Sequence, residues 1–334
     1  MLDLERARVL VTGGAGFIGS ALVWGLNRRG NSRVVIADLL GSSPKWRNLR
    51  ALRFEDYVEA DDLLGRLDAG SLGTFDLVLH MGACSATTEQ DGSYLVRNNY
   101  EFSKDLCTWA LQHGASVVYA SSAATYGDGQ AGMDDDPASM ERLRPLNMYG
   151  YSKLLLDRWV RDQELLSRVA GLRFFNVFGP NEAHKGDMRS VVHKACAQIR
   201  QEGRVQLFRS HHPDYRDGEQ RRDFVYVKDI VDMTLHVAAH RATGLFNLGS
   251  GTAHTWLDLV RPIFAALQVP EQIDFVDMPE VLRGTYQYHT QADIARLRGV
   301  GYTAPPTPLA TAVSDYVREY LVPGTYLGDE VGPL

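Results

Sequence analysis

The chain runs from an apolar stretch directly into a glycine-rich turn at residues 9–19, which read VLVTGGAGFIG. The first four of these residues are typical of a buried strand, and the apolar residues after the turn begin a helical pattern that continues to Arg29. Gly13, Gly16 and Gly19 allow a tight turn, a close approach to a pyrophosphate and close packing of the helix on the sheet. This strand–turn–helix unit predicts a dinucleotide-binding fold.

The same alternation of strand and helix patterns continues along the chain. Short β-branched runs alternate with longer amphipathic stretches up to about residue 178, which indicates βαβ units around a parallel sheet. After that point, helical patterns are separated by loops rich in glycine, proline and charge. We therefore predict an α/β fold with a Rossmann-type doubly wound parallel sheet over residues 1–178, to which residues of roughly 223–250 return. A smaller C-terminal α/β substrate-binding domain occupies mainly residues 179–334.

The composition excludes several functional classes. The 334 residues have a net charge of -6, so the chain has no broad basic field for nucleic acid. Cys84, Cys107 and Cys196 lie far apart without a CxxC pair, and His211-His212 lacks metal-ligand spacing, so we predict no disulfide framework and no metal site. The start of the chain does not resemble a signal peptide, and no apolar run approaches the length of a membrane span. We expect a cytoplasmic protein without a membrane partner.

The choice of nicotinamide cofactor depends on the end of the second predicted strand. Asp38 lies there, about twenty residues after the glycine turn, where a carboxylate accepts hydrogen bonds from a free ribose hydroxyl and favours NAD. Repulsion of a 2′-phosphate at about 4 Å would cost about 1 to 4 kcal/mol per charge pair. Lys45, Arg47 and Arg50 offset this repulsion if they face the site, but they equally fit a solvated basic loop. The residues alone predict a dinucleotide and leave NAD and NADP open.

A catalytic group follows from residues 149–153, which read YGYSK. Tyr149 and Lys153 are four residues apart on one helical face, so the ammonium can lie near the phenol and reach the ribose. Lowering the pKa of a phenol from about 10 to about 7 needs roughly 4 kcal/mol, which we expect Lys153 and a positively charged nicotinamide to supply. Ser122 follows a predicted strand at the edge where such sheets bind ligands, and would hydrogen-bond the substrate oxygen. The combination predicts hydride transfer at a carbinol or ketone.

On these residues the chain resembles the extended short-chain dehydrogenase/reductase family, through TGGAGFIG, the order Ser122, Tyr149, Lys153, and FFNVFGP. HMGACSATTEQDG, RNNYEFSKDL, HKGDM, QRRDFVYVKD, FNLGSGTA and RGTYQYHTQAD follow in order over almost the whole chain and are similar to the nucleotide-sugar epimerases of that family that act on ADP-heptose. The resemblance implies NADP, an ADP-heptose nucleotide-sugar substrate, a homo-oligomer and a place in making the heptose of bacterial lipopolysaccharide.

The resemblance also implies binding residues. Besides the glycine turn, it implies dinucleotide contacts from Phe17, Ile18, Asp38, Leu39, Lys45, Met81, Gly82, Ala83, Cys84, Ser85, Asn98, Tyr149, Lys153 and Val177. It implies substrate contacts from Ser122, Asn176, Asp187, Lys194, Phe208, Arg209, Ser210, Arg222 and Tyr286. The chain departs from the enterobacterial pattern at three positions, where Ala60 replaces a lysine, Asp187 a serine and Lys194 a histidine.

Inversion of a carbon through a transient ketone would require proton transfer at its oxygen in two orientations, and one fixed base does not readily reach both. Under the epimerase hypothesis, Tyr149 serves one orientation and Lys185 of HKGDM the other. Asp187, two residues further on, either pairs with Lys185 or faces water. Another nucleotide-sugar epimerase or dehydratase, a net dehydrogenase, and a non-enzymatic dinucleotide sensor are the alternatives on the same fold.

Overall fold

The computed structural model of the chain describes residues 1–283 and 286–329. Gly284 and Thr285 of the RGTYQYHTQAD motif, and residues 330–334 of the predicted C-terminal domain, lie outside the described residues. The strands are β1 (Val9–Thr12), β2 (Val34–Asp38), β3 (Asp56–Glu59), β4 (Leu77–His80), β5 (Ser116–Ser122), β6 (Val169–Phe174), β7 (Asn176–Phe178), β8 (Val205–Phe208), β9 (Arg221–Tyr226), β10 (Gly244–Leu248), β11 (Ala253–Thr255) and β12 (Ile273–Val276).

The helices cover both the predicted helical patterns and several connections. They are α1 (Phe17–Asn27), α2 (Ala60–Asp68), α3 (Gly92–Leu95), α4 (Phe102–Gln112), α5 (Met148–Asp162), α6 (Val191–Glu202), α7 (Val227–Ala239), α8 (Trp256–Leu267), α9 (Glu280–Arg283), α10 (Ala295–Gly299) and α11 (Leu309–Asp315). Short 3-10 turns connect several of them, and π-helical turns follow α3 and α11. None of the helices in the described ranges is long and apolar enough to cross a bilayer.

Within the described residues, seven strands form one parallel sheet in the order β3-β2-β1-β4-β5-β6-β10. Successive residues of each inner strand face opposite sides: Val9 and Val11 of β1 belong to one apolar core with α1 and α7, whereas Leu10 belongs to a second core with α4 and α5. Burial on both faces explains why these strands read as continuous apolar runs. The predicted α/β fold with a Rossmann-type parallel sheet is confirmed.

The chain leaves the large sheet at its carboxyl edge. Directly after β6, β7 pairs with β9 of a three-stranded sheet, β11-β9-β7, and β8 pairs with β12 in a separate two-stranded sheet. β10 then returns to the large sheet beside β6. The small sheets therefore begin where the parallel strands end, at the edge where ligands of such folds bind. The division of the chain into two domains stays a prediction.

Candidate active site

The glycine turn is packed at distances that only glycine permits. Gly13 has a φ of +64°, and a Cβ there would lie 2.7 Å from the Cα of Gly82, two residues after β4. A Cβ on Gly19 would lie 2.1 Å from the carbonyl oxygen of Gly13. Gly16 is the N-cap residue of α1 and provides no side-chain hydrogen bond, which leaves the helix N-terminus for an anionic ligand. The turn thus has the shape and polarity that a pyrophosphate requires.

This turn borders a cavity of about 690 Å³ at the carboxyl edge of the large sheet. The cavity also takes its walls from the segment after β4, from the end of β5, from the start of α5 and from β7. The predicted residues that line it are Gly13, Gly16, Phe17, Ile18, Gly19, Asp38, Lys45, Met81, Gly82, Ala83, Cys84, Ser85, Ser122, Tyr149, Lys153, Asn176, Val177 and Lys185. The glycine turn and the lining of this cavity therefore suit a dinucleotide.

The oxygens of Asp38 are occupied by groups of the protein itself. One oxygen accepts the backbone N–H groups of Ala15 at 2.8 Å and Gly16 at 3.1 Å. The other accepts the N–H of Leu39 at 2.7 Å and the ammonium of Lys45 at 2.8 Å. A carboxylate offers about four acceptor positions, so this one is saturated and its charge is paired. Leu39 contributes its backbone here, while its side chain is exposed and lies outside the cavity lining.

An asparagine holds the segment that follows β4. The side chain of Asn99 accepts the N–H of Cys84 at 2.8 Å and donates to the carbonyl of Cys84 at 2.9 Å. It also donates to the hydroxyl of Ser152 in α5 at 3.0 Å, so it ties two cavity walls together. Asn98 donates to the side chain of Asn99 and does not line the cavity, and its contact with a dinucleotide stays a prediction.

Tyr149 and Lys153 lie in the first turns of α5, which Asn147 caps through a 2.8 Å bond from the N–H of Gly150. Lys153 is only 2% exposed, and its ammonium donates to the carbonyl of Ala120 in β5 at 2.9 Å. Burial lowers the pKa of Lys153 to about 8, although the carboxylate of Asp157 opposes the shift.

The pKa of Tyr149 is raised in the protein without a bound dinucleotide. Burial is the larger effect and raises the pKa, while a side-chain hydrogen bond with Ser122 opposes it. Without a dinucleotide, the ammonium of Lys153 is directed to the backbone carbonyl of Ala120. The expected lowering of this pKa by Lys153 and a positively charged nicotinamide together stays a prediction.

Lys185 lies in the 3-10 turn Ala183–Met188, which borders the cavity after β7. Its ammonium lies 5.4 Å from the centre of the Phe17 ring, within range of a cation–π interaction. Burial lowers the pKa of Lys185, and the carboxylate that opposes this shift is Glu182. Glu182 is buried and accepts the N–H of Ser190 at 2.5 Å and its hydroxyl at 2.6 Å. Asp187 is exposed, and within the described residues it forms no ion pair with Lys185.

Arg222 is a buried cation beside the cavity. It is 6% exposed, and its guanidinium lies 5.8 Å from the ring centre of Trp256 and 5.0 Å from that of Tyr286. Trp256, which lines the cavity, donates its indole N–H to the hydroxyl of Tyr286 at 2.8 Å. In the part of the chain that the structure describes, no carboxylate lies within 4 Å of Arg222, and burial lowers its pKa. Such a guanidinium suits a phosphate ligand.

Four further predicted substrate residues lie away from the cavity lining. Phe208 ends β8 with an exposed side chain, and the next residue, Arg209, donates to the carbonyl of Phe275 at 3.2 Å. The N–H of Ser210 bonds to Asp217 at 2.8 Å, and Lys194 is exposed and donates to the carbonyl of Asp187 at 3.2 Å. Contact of these residues with a substrate stays a prediction.

Several cavity residues were not found from the sequence. His184, Phe224 and Trp256 line the cavity, and Asn99 and Glu182 hold its walls. The neighbouring His-Lys pair in HKGDM is the only local signal for any of them, because the others depend on contacts between distant segments. In the described ranges, no cluster of His, Cys, Asp or Glu is placed to hold a metal ion.

A parallel sheet with a glycine turn, and a Ser–Tyr–Lys group at the edge of that sheet, define a dinucleotide-dependent enzyme. Residues 9–249 match the NAD dependent epimerase/dehydratase family, and the chain belongs to this family.

Individual relatives indicate which kind of enzyme within this family the chain is similar to. An ADP-L-glycero-D-manno-heptose-6-epimerase of Nitratidesulfovibrio vulgaris strain DP4 is 52% identical over 314 residues, which cover 93% of this chain and 97% of the relative. The crystal structure of the Helicobacter pylori enzyme of the same name superposes with a TM-score of 0.81 at 28% identity, covering 96% of this chain and 98% of that one. MoeE5 in complex with UDP-glucuronic acid and NAD has a TM-score of 0.73 at 26% identity, covering 93% and 99%. The chain is thus an epimerase, an enzyme of the isomerase class, and a nicotinamide dinucleotide is supported as its cofactor.

Proposed function

We propose that the protein inverts C6″ of ADP-D-glycero-D-manno-heptose to give ADP-L-glycero-D-manno-heptose through a transient keto intermediate, with NADP as cofactor. Its product would supply heptose for the core of lipopolysaccharide. The observation that carries the proposal is that Tyr149 and Lys185, two groups able to carry a proton, line one cavity from different elements. The high similarity to enzymes with this activity supports the choice of sugar.

The preference for NADP rests on Asp38 and Lys45. An enzyme selective for NAD uses such an aspartate to accept hydrogen bonds from the ribose, but the oxygens of Asp38 already accept four bonds within the protein. The ammonium of Lys45 pairs with this carboxylate, and Lys45 borders the same cavity, which supports a contact with a 2′-phosphate. The cation also removes the repulsion that an unpaired Asp38 would exert.

The residues of the chain would divide the chemistry as follows. When bound, the dinucleotide would supply a hydride acceptor at C6″ and then a donor of the same hydride, so there would be no net redox change. Tyr149 takes the proton from the C6″ hydroxyl in one orientation, and Ser122 holds that oxygen by a hydrogen bond. After the keto group presents its other face, Lys185 returns a proton to the oxygen. Arg222 would balance the diphosphate of the substrate.

The direct test follows substrate stereochemistry. The protein is incubated with ADP-D-glycero-D-manno-heptose, the configuration at C6″ is followed by NMR, and the co-purifying dinucleotide is identified. We expect conversion at C6″ without accumulation of reduced cofactor. Accumulation would support a net dehydrogenase instead, conversion at another carbon would support a different nucleotide-sugar epimerase, and unchanged stereochemistry would reject the proposal.

The role of Lys185 has its own test. Lys185→Met should lower turnover by about 10²- to 10⁴-fold, the usual contribution of a general acid or base, while the cofactor still binds. Lys104→Met, which alters a lysine of α4 outside the cavity, is the matched control and should keep normal turnover. Near wild-type turnover of Lys185→Met would contradict the assignment of two proton carriers.

We also propose that residues 1–178 and the strand β10 hold the cofactor, that the remaining C-terminal residues mainly bind the sugar, and that the enzyme acts as a cytoplasmic homo-oligomer. The position of β10 beside β6 supports the first part. Sedimentation velocity of the purified protein tests the last part, and a monomer at micromolar concentration would contradict it.

A further inference from the structure

His184 borders the cofactor cavity and has no part in the proposed mechanism. It precedes Lys185 in the turn Ala183–Met188 and lines the cavity together with Asp38 and Lys45. The side chain is half-buried. A histidine placed with a lysine beside a saturated carboxylate is a candidate ligand for an anion.

A hydrogen-bonding network fixes this ring against the glycine turn. The Nδ1 atom of His184 lies 3.2 Å from the side-chain amide nitrogen of Asn48. That amide donates to the carbonyl of Ala15 at 2.9 Å and to the carbonyl of Asn181 at 3.0 Å. Because the N–H of Ala15 bonds to Asp38, the ring belongs to the same cluster as the carboxylate and Lys45. The ring also forms a hydrogen bond with the backbone of Asn181, so it is held against the protein beside Asn48 while it borders the cavity.

Charged side chains face His184 from three elements. The groups that face it are Lys45 from the 3-10 turn Pro44–Asn48, Lys185 from its own turn, and Asp38 from the end of β2. Burial and the two ammonium groups lower the pKa of His184 to about 4, so the ring is neutral at pH 7. Asp38 pairs with Lys45 and Glu182 acts on Lys185, so an anion beside the ring would meet two lysines that already have acidic neighbours.

We propose that His184 is a ligand of the 2′-phosphate of NADP and that the ring takes up a proton from solvent when this phosphate binds. The inference rests on the proposed use of NADP, and it assigns to NADP binding a further ligand residue and the uptake of one proton. A phosphate monoester carries a charge between about -1.5 and -2 at pH 7. Placed beside the ring, it would screen the ammonium groups and stabilise the imidazolium form, which then donates a charge-assisted hydrogen bond.

The sign of the pH dependence follows from this change. The pKa of His184 is about 4 in the free protein and would be higher in the complex. Between these two values the complex holds one proton more than the free protein, so binding takes up a proton. The affinity for NADP should therefore fall as the pH rises through the higher value. NAD lacks the phosphate, so its affinity should lack this dependence.

Calorimetric titration of the full-length protein with NADP and with NAD tests the proposal. The titrations are made at about pH 6, 7 and 8, in two buffers of different ionisation enthalpy, so that proton uptake is measured directly. The variants are His184→Gln and the control His193→Gln. His193 of α6 is also partly buried with a pKa lowered to about 4, but it lines a different cavity.

We expect the wild-type protein to prefer NADP and to take up part of a proton with NADP alone. His184→Gln should weaken NADP binding roughly tenfold, the loss expected for one charge-assisted hydrogen bond, and should weaken NAD binding less than about twofold. It should also abolish the proton uptake, whereas His193→Gln should match the wild type.

The outcomes separate the two proposals. A wild-type preference for NADP that His184→Gln leaves unchanged overturns the role of His184 and leaves the cofactor assignment standing. A wild-type preference for NAD overturns both. If the wild-type protein takes up no proton when NADP binds, the proposed protonation of His184 is wrong. This result does not depend on the folding of any variant. No turnover is measured, so a failure on the heptose substrate would not affect this test.

Discussion

Replacing Lys153 by methionine should stabilise the cofactor-free protein while it abolishes turnover. The ammonium of Lys153 is 2% exposed, and burial lowers its pKa from 10.5 to about 8. A lysine whose pKa is lowered by folding makes the unfolded chain bind more protons between these two values. Its charge therefore costs stability at pH 7, and this cost declines as the pH rises.

The size of this effect follows from the two pKa values. At about 1.4 kcal/mol per pKa unit, the buried charge costs about 3 kcal/mol of stability at pH 7 and between about 1 and 2 kcal/mol at pH 9.5. The substitution also removes the hydrogen bond of the ammonium to the carbonyl of Ala120, which contributes about 1.5 kcal/mol in the other direction. The net gain should be about 2 kcal/mol at pH 7 and close to zero at pH 9.5.

Urea unfolding at these two pH values, followed by circular dichroism, measures both numbers. Lys104→Met is the control, since this lysine lies over the ring of Tyr100 in a helix that does not line the cavity. A Lys153→Met variant that is less stable than wild type at pH 7 would refute the reasoning. So would a gain at pH 7 that persists unchanged at pH 9.5.

Three further predictions follow from other buried contacts. Asp157→Asn should lower the free energy of unfolding by about 3 to 5 kcal/mol in urea titration, because Arg173 lies 3.0 Å away and both side chains are fully buried. Gly19→Ala should prevent cofactor binding in calorimetry or shift α1, since its Cβ would lie 2.1 Å from the carbonyl of Gly13. The pKa of His80 is lowered to about 3 by burial, so stability should fall as the pH decreases below about 6.5, and His80→Gln should reduce that slope in guanidinium unfolding at pH 7 and 5.

The features that the sequence predicted are those that depend on neighbouring residues. The strand before the glycine turn is observed at Val9–Thr12, and the predicted helix after it ends at Asn27, two residues before the predicted Arg29. Tyr149 and Lys153 share the helix Met148–Asp162 because spacing by four residues is a local property. The ends of helices were predicted less accurately, because the last turn of a helix depends on its capping contacts.

Features that depend on contacts between distant segments could not be predicted from the sequence pattern. The residue type of Asp38 favours NAD, but the sequence pattern does not show that its oxygens accept hydrogen bonds from the N–H of Ala15 and the ammonium of Lys45. Asp187 is the acidic residue closest to Lys185 on the C-terminal side of the chain, yet Glu182 is the carboxylate that acts on it, because the turn folds back over the start of α6. A sequence shows which charges are present, while the fold determines which of them are paired.

The pKa shifts of the ionisable side chains that line the cavity have one main physical cause. Burial is the largest cause for Tyr149, Lys153, His184 and Lys185, and in each case it favours the neutral form of the side chain. A positively charged nicotinamide would favour the phenolate of Tyr149, and phosphate groups would favour the cationic forms of the lysines and the histidine. The ligands would therefore supply the opposite charges that stabilise the ionised forms of these side chains. Proton transfer by Tyr149 at neutral pH would then depend on the charges of the bound ligands.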